Sequence, residues 1–231
     1  MQNIEITSAN IHIDESCRII DRGIVDRVDI VIGEWVHVEY CFVAPAIPVT
    51  AKNEAIQVPA ATIKDSKKYY RHIAIGADTT FTGTGVMMDQ VDIEIITEIC
   101  GDNAKSTLDL LALATDEARI SVEWVARVAS PYRQVSTRVD QTNILIGTGA
   151  RVRGVPRLEI ATDDIEWGHS CRMHRLGGES LFYLTSRGLT HQSAETLLLN
   201  SEILTHLRTI DETEREKYCY EIHMRLIKKP A

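Results

Sequence analysis

Two runs of this chain set imidazole, thiol and carboxylate groups at alternate positions. In GEWVHVEYCFV, Trp35, His37, Glu39 and Cys41 fall two residues apart, and in IEWGHSC the same spacing joins Ile165, Trp167, His169 and Cys171. Side chains two apart on an extended strand share a face. His37, Glu39 and Cys41 would then line one face and could hold iron. His169 and Cys171 would form a second candidate pair, because thiolate and imidazole both suit transition metals. Each set also has a plain packing explanation. Cys171 reads equally as a small core residue and His169 as a hydrogen-bonded turn histidine, and the earlier trio can face an interior without metal. His174, His191, His206 and His223 read as turn or helix-surface residues, and Cys100 and Cys219 as packed thiols.

Other chemistry finds little support. The five cysteines are scattered and form no C-x-x-C pair, so neither a disulfide framework nor a zinc site is expected, and reduced thiols are. There is no G-x-x-x-x-G-K-[ST] loop, so any ATP hydrolysis must come from a partner. Gly83, Thr84, Gly85 and Val86 lack the following helix of a dinucleotide loop, and no G-x-S-x-G elbow occurs. A carbohydrate-active enzyme would need paired carboxylates in a groove. Asp163 and Asp164 are adjacent, and on a strand they would point to opposite faces.

The elements that must position these groups are mostly strands. Up to about residue 170, Val-, Ile- and Thr-rich alternating runs recur, as in VDIVIGEWVHVEYCFV, VDIEIITEI, ISVEWVARV and RLEIATDDIEW. Short clusters such as GADTT, CGDNAKS, ATDEAR, GTGAR and ATDD separate them. The partial recurrence of DNAKS, DEARIS and GTGARV is a weak repeat of wandering spacing. That suits a β-solenoid, with a β-sandwich as the alternative. Near residue 178 the period changes. GESLFYLTSRG reads as a short helix ended by glycine, and Thr190 as an N-cap. The next helix should bury Ala194, Leu197, Leu198, Ile203, Leu204 and Leu207. Asp211 and Glu214 resemble a capping box opening a third helix, with Tyr218, Ile222 and Leu226 on one face; Lys228 and Lys229 suit its end and Pro230 its stop. Two units are expected, a β core over 1–176 and helices over 177–231.

Of the 231 residues 44% are apolar, enough for a substantial core, and the formal charge of −8 disfavours a nucleic-acid or anionic-membrane partner. No signal peptide and no apolar run long enough to span a bilayer is read, so a cytoplasmic protein is expected.

The stretch 149–199 carries a more specific pattern. Pro156, Leu158, Glu159, Ile160, Asp163, Asp164 and Ile165 match a P-x-L-E-I-x-x-D-D-V strand. His169 follows at the place of a turn histidine. Arg175, Leu176, Glu179, Leu181, Phe182, Tyr183, Leu184, Ser186, Arg187 and Gly188 match R-[IL]-x-x-E-x-[LI]-F-Y-L-x-S-R-G-[IL]. In these residues the chain resembles the SufB/SufD core domain, a scaffold family of iron–sulfur cluster assembly. The resemblance implies a right-handed parallel β-helix followed by a small helical domain. It also implies pairing with itself or a related SufB/SufD subunit, and docking of the helices, with Tyr183 and Arg187, on a SufC-type ABC ATPase. A transient cluster would form near the subunit seam, where His169 and Cys171 become candidate ligands, imidazole replacing thiolate in some clusters. Larger members carry an N-terminal helical domain, so a reduced, non-enzymatic form is expected. Three features depart from the family: Gly168 and Ser170 flank the histidine where SufB-type chains have glutamates, Trp167 stands where SufD-type chains can have cysteine, and 135–148 lacks the upstream cysteine of SufB-type chains. The missing thiolate favours the alternative of a structural ATPase partner that binds no cluster.

Overall fold

The structure is a computed structural model that describes residues 1–44, 66–115, 118–176 and 178–227. Lys228, Lys229, Pro230 and the centre of the ATDEAR turn lie outside the described residues. The chain begins with β1 (Gln2–Glu5), β2 (Asn10–Ile13), β3 (Cys17–Asp21), β4 (Arg27–Ile32) and β5 (His37–Ala44). It continues through β6 (Lys67–Ile75), β7 (Thr80–Met88), β8 (Gln90–Ile99), β9 (Lys105–Ala114) and β10 (Arg119–Val128). The last strands are β11 (Val135–Leu145), β12 (Arg151–Ile160) and β13 (Ile165–Arg175), followed by α1 (Gly178–Ser186), α2 (His191–His206) and α3 (Glu212–Ile227).

Among the described strands no two successive ones pair. The odd strands form one sheet in the order β1-β3-β5-β7-β9-β11-β13, and the even strands form a second, β12-β10-β8-β6-β4-β2. Every pairing is parallel, so the chain winds as a two-sided β-helix. The coils stay in register although their lengths differ: Thr80 sits beside Lys105, Lys105 beside Ser136, and Ser136 beside Glu166. This is the wandering repeat of the sequence.

The turn clusters are the corners. Trp35, Asp78, Asn103 and Gln134 all have positive φ, each just before an odd strand. Their backbones stack, Trp35 N–H donating to Ala77 O, Asp78 N–H to Asp102 O and Asn103 N–H to Arg133 O. Asn and Asp tolerate this conformation because their short side chains bond locally. Trp35 therefore lies outside the strand that begins at His37. RLEIATDDIEW is likewise two strands in opposite sheets, with Asp163 and Asp164 in the corner between them.

Alternation divides each odd strand between two cores. Inward residues such as Tyr40, Phe42, Leu108 and Leu110 fill the solenoid. Outward residues such as Cys41, Val43, Val86 and Leu111 join Leu199, Ile203, Leu207, Tyr218 and Ile222 of the helical end in a second cluster. Helices α2 and α3 thus roof the odd-strand sheet. Thr190 caps α2, accepting from Ser193 N–H, and Gly188 takes φ +96 after α1. Asp211 caps α3 by accepting from Glu214 N–H at 3.0 Å, while the Glu214 carboxylate turns away to Lys217 and Arg22. Leu197 and Leu204, expected on the buried face of α2, are exposed, and Leu199 is buried instead.

Candidate functional site at the open end of the solenoid

Among the described residues strand β13 pairs only with β11, and its inward column continues the stack below it. Trp167 lies over Thr137, His169 over Val139, Cys171 over Gln141 and Met173 over Asn143. One coil earlier this column is buried; in β13 it is open, with Trp167 57% and Met173 51% exposed and His169 and Cys171 exposed as well. Among the described residues nothing caps the interior here. β12 forms the matching edge of the other sheet, and its Pro156 lacks an N–H to offer. An open edge leaves backbone groups free to pair with another chain.

The expected spacing of His169 and Cys171 therefore holds, on a strand that begins at Ile165. The His169 ring lies between two indoles, edge-on to Trp124 with centroids 6.3 Å apart and nearly parallel to Trp167 at 6.4 Å. Cys171 rests on a buried amide floor that reasoning from sequence missed. Asn143 Nδ2 donates to Arg172 O at 2.9 Å and lies 3.4 Å from Cys171 Sγ. Gln141 Nε2 donates to Asn143 Oδ1 at 2.7 Å, which fixes both amides. Gly154 faces them from β12, where a Cβ would come within 2.9 Å of Cys171 Sγ and of the Gln141 amide. The available signal was two amides, Gln141 and Asn143, spaced two apart on the same parity as the core residues Val135 and Val139. On the outer face, burial works to raise the Asp140 carboxyl pKa. Hydrogen bonds from Arg138 and Ser170 outweigh it and hold Asp140 below the usual carboxylate range.

The earlier trio also shares a face, but the three side chains are engaged differently. Glu39 pairs with Arg18 at 2.7 Å. Cys41 lies under the helical roof, where burial pushes its thiol up to about 12. His37 is half-buried at the strand start. Among the described residues no three His, Cys, Asp or Glu side chains converge as a metal set.

At the helical end, α1 buries no residue, and Phe182 and Tyr183 are 75% and 57% exposed. Arg187 follows just past the helix with its guanidinium 5.2 Å from the Tyr183 ring centroid. His206 is not a surface residue. It is buried, its Nδ1 bonded to Glu202 O at 2.8 Å and its Nε2 3.1 Å from Asp109 Oδ1, close enough for a charge contact though poorly aligned. Cys100 is exposed rather than packed.

A two-sided β-helix that ends uncapped on an imidazole and a thiol, with helices roofing one sheet, matches the architecture implied by the resemblance. The chain belongs to the SufBD core family: the family model described as SUF system FeS cluster assembly, SufBD core domain, matches residues 61–202. Over 117 residues it is 29% identical to the iron-sulfur cluster assembly protein SufD of Escherichia coli (strain K12), covering 49% of this chain and 27% of that protein. A SufBD family protein of Mycobacterium leprae (strain TN) is 38% identical over 77 residues, 32% of this chain and 20% of its own length. One from Synechocystis sp. is 30% identical over 118 residues, 50% of this chain and 25% of its own length. The matched parts thus span about a quarter of these relatives.

Proposed function

We propose that this chain is a non-enzymatic scaffold subunit for iron–sulfur cluster assembly, working in the cytoplasm beside a SufC-type ABC ATPase. The observation that carries the reading is the uncapped last coil within a SufBD core match. A second protomer, the same chain or a related SufB/SufD subunit, covers the Trp167–Met173 column. His169 and Cys171 then contribute two ligands to a nascent cluster, and the facing subunit supplies the rest, since such clusters take about four. Their exposure suits a cargo that must leave. No nucleic-acid or membrane partner enters this scheme; the charge of −8 works against both, and no described helix is long and apolar enough to cross a membrane. The expected division into a core over 1–176 and a docking unit over 177–231 is kept as part of this reading, with the ATPase seated on the face of α1 that carries Tyr183 and Arg187.

The test is anaerobic reconstitution with ferrous iron and sulfide. A visible cluster chromophore that falls sharply in His169→Ala and Cys171→Ala supports the ligand roles, and a chromophore indifferent to both refutes them. The second reading, an ATPase partner that binds no cluster, draws on the lack of a cysteine in 135–148. It is met if no chromophore forms while the ATPase still co-purifies. Docking is tested with Tyr183→Ala and Arg187→Glu, because α1 buries nothing, whereas deleting the whole helical end would strip the roof from the odd-strand sheet.

A further inference from the structure

Several charges on the outer face of the even-strand sheet are paired. Arg157 reaches Glu123 at 2.5 Å, Arg127 reaches Glu159 at 2.8 Å, and His72 sits between Asp29 and Glu98. The end where the strands begin breaks this pattern. Register places Arg119 directly beside Arg151 on the neighbouring strand, and Arg153 follows on the same face. Like charges directly opposite each other destabilise a sheet. Among the described residues none of the three has a carboxylate within ion-pair distance. They ring a cavity of about 400 Å³ whose walls include Gln90, Ser121 and Asp92. The Asp92 carboxylate does not relieve them, because register sets Ser121 between Asp92 and Arg153.

We propose that this cavity is a binding site for a phosphate-class oxyanion. Guanidinium forks match phosphate oxygens bidentately, and three cations suit a group carrying close to two negative charges. The Ser121 hydroxyl supplies a further donor, and Asp92 holds the anion toward the arginine end. A chain of charge −8 repels anions in general, so saturable binding here reports a local site. The site lies on the outside of the solenoid and is independent of the cluster reading.

Titration calorimetry at fixed ionic strength tests it, using inorganic phosphate, pyrophosphate and adenosine monophosphate on the whole chain. One-to-one saturation is expected with at least one of them. Tightest binding by pyrophosphate identifies a free polyphosphate-type ligand, and tightest binding by the monophosphate a nucleotide. The double variant R119Q/R151Q should weaken binding by about tenfold or more, as loss of charge-assisted hydrogen bonds demands. Asp92→Asn should tighten it, and Arg27→Gln, paired with Asp29 elsewhere on the face, should leave it unchanged. The proposal is overturned by the absence of saturation with all three probes, or by equal effects of R119Q/R151Q and Arg27→Gln, which would indicate diffuse charge.

Discussion

Asp21, Arg71 and Tyr40 are fully buried and join β3, β6 and β5, two strands of one sheet to a strand of the other. Asp21 accepts from Arg71 Nε at 2.5 Å, Arg71 Nη2 at 3.2 Å, Tyr40 OH at 2.8 Å and Gly23 N–H at 2.9 Å. The remaining guanidinium hydrogens go to the carbonyls of Val25, Asp26 and Tyr70. The charge pair is therefore fully satisfied, and Asp21→Ala leaves a guanidinium buried without its counter-ion. Breaking such a pair costs about 3–5 kcal/mol. In a chain of this size each kcal/mol moves the melting temperature by roughly 2–4 °C, so a drop of about 6–20 °C is expected. Urea titration followed by circular dichroism should show the midpoint falling with its slope unchanged. The double variant D21L/R71M removes the unpaired charge and should recover part of the loss, the remainder reflecting Tyr40 OH, Gly23 N–H and the three carbonyls that lose a partner. A loss below about 1 kcal/mol in Asp21→Ala, or a double variant as unstable as the single one, would refute the claim that the uncompensated charge sets the cost.

Gly154→Val places methyl groups against Cys171 Sγ and the Gln141 amide; it should lower cluster yield on reconstitution and slow Cys171 alkylation, with the melting temperature as control. Ile203→Ala, in the roof cluster, should cost about 2–5 kcal/mol by urea titration. Burial raises the Cys41 thiol from 9.0 to about 12, so the folded state keeps a proton that the unfolded state releases. This Cys41 contribution is whole below pH 9 and should be lost between pH 9 and 12, by up to ~4 kcal/mol; Cys41→Ala should remove that part of the alkaline limb. Burial works to raise the Asp109 carboxyl, but the adjacent His206 and Arg208 outweigh it and lower its pKa. The stability it lends is present above the usual carboxylate range and is lost as pH falls through its depressed value; Asp109→Asn should remove that acid dependence in a urea titration.

Much of the local structure was legible because it depends on neighbours in sequence. Thr190 and Asp211 mark helix starts through their side-chain oxygens, and Gly188 a helix end through its left-handed backbone. The two-residue period by itself places His169 with Cys171, and His37 with Glu39 and Cys41. Trp35 and Gln134 were not legible as left-handed corners, since neither residue type signals positive φ; Trp35 is tied there by its N–H to Ala77 O of the next coil. Leu197 and Leu199 exchanged roles because a helix with apolar residues on several sides does not by itself say which side the sheet will cover.

By itself, then, the sequence determined strand texture, helix caps, the family pattern over 149–199 and which side chains share a face. Those are set by periods and turn chemistry spanning a few residues. The tertiary structure decided which coil lies above which, and so set Gln141 and Asn143 beneath Cys171, gathered three arginines at one corner, and sank Cys41 and His206 under the helical roof. Each of those meetings joins residues on different strands or elements. Their distance is fixed by register across hydrogen-bonded coils and by the packing of helices on a sheet, neither of which is encoded in any single stretch of chain.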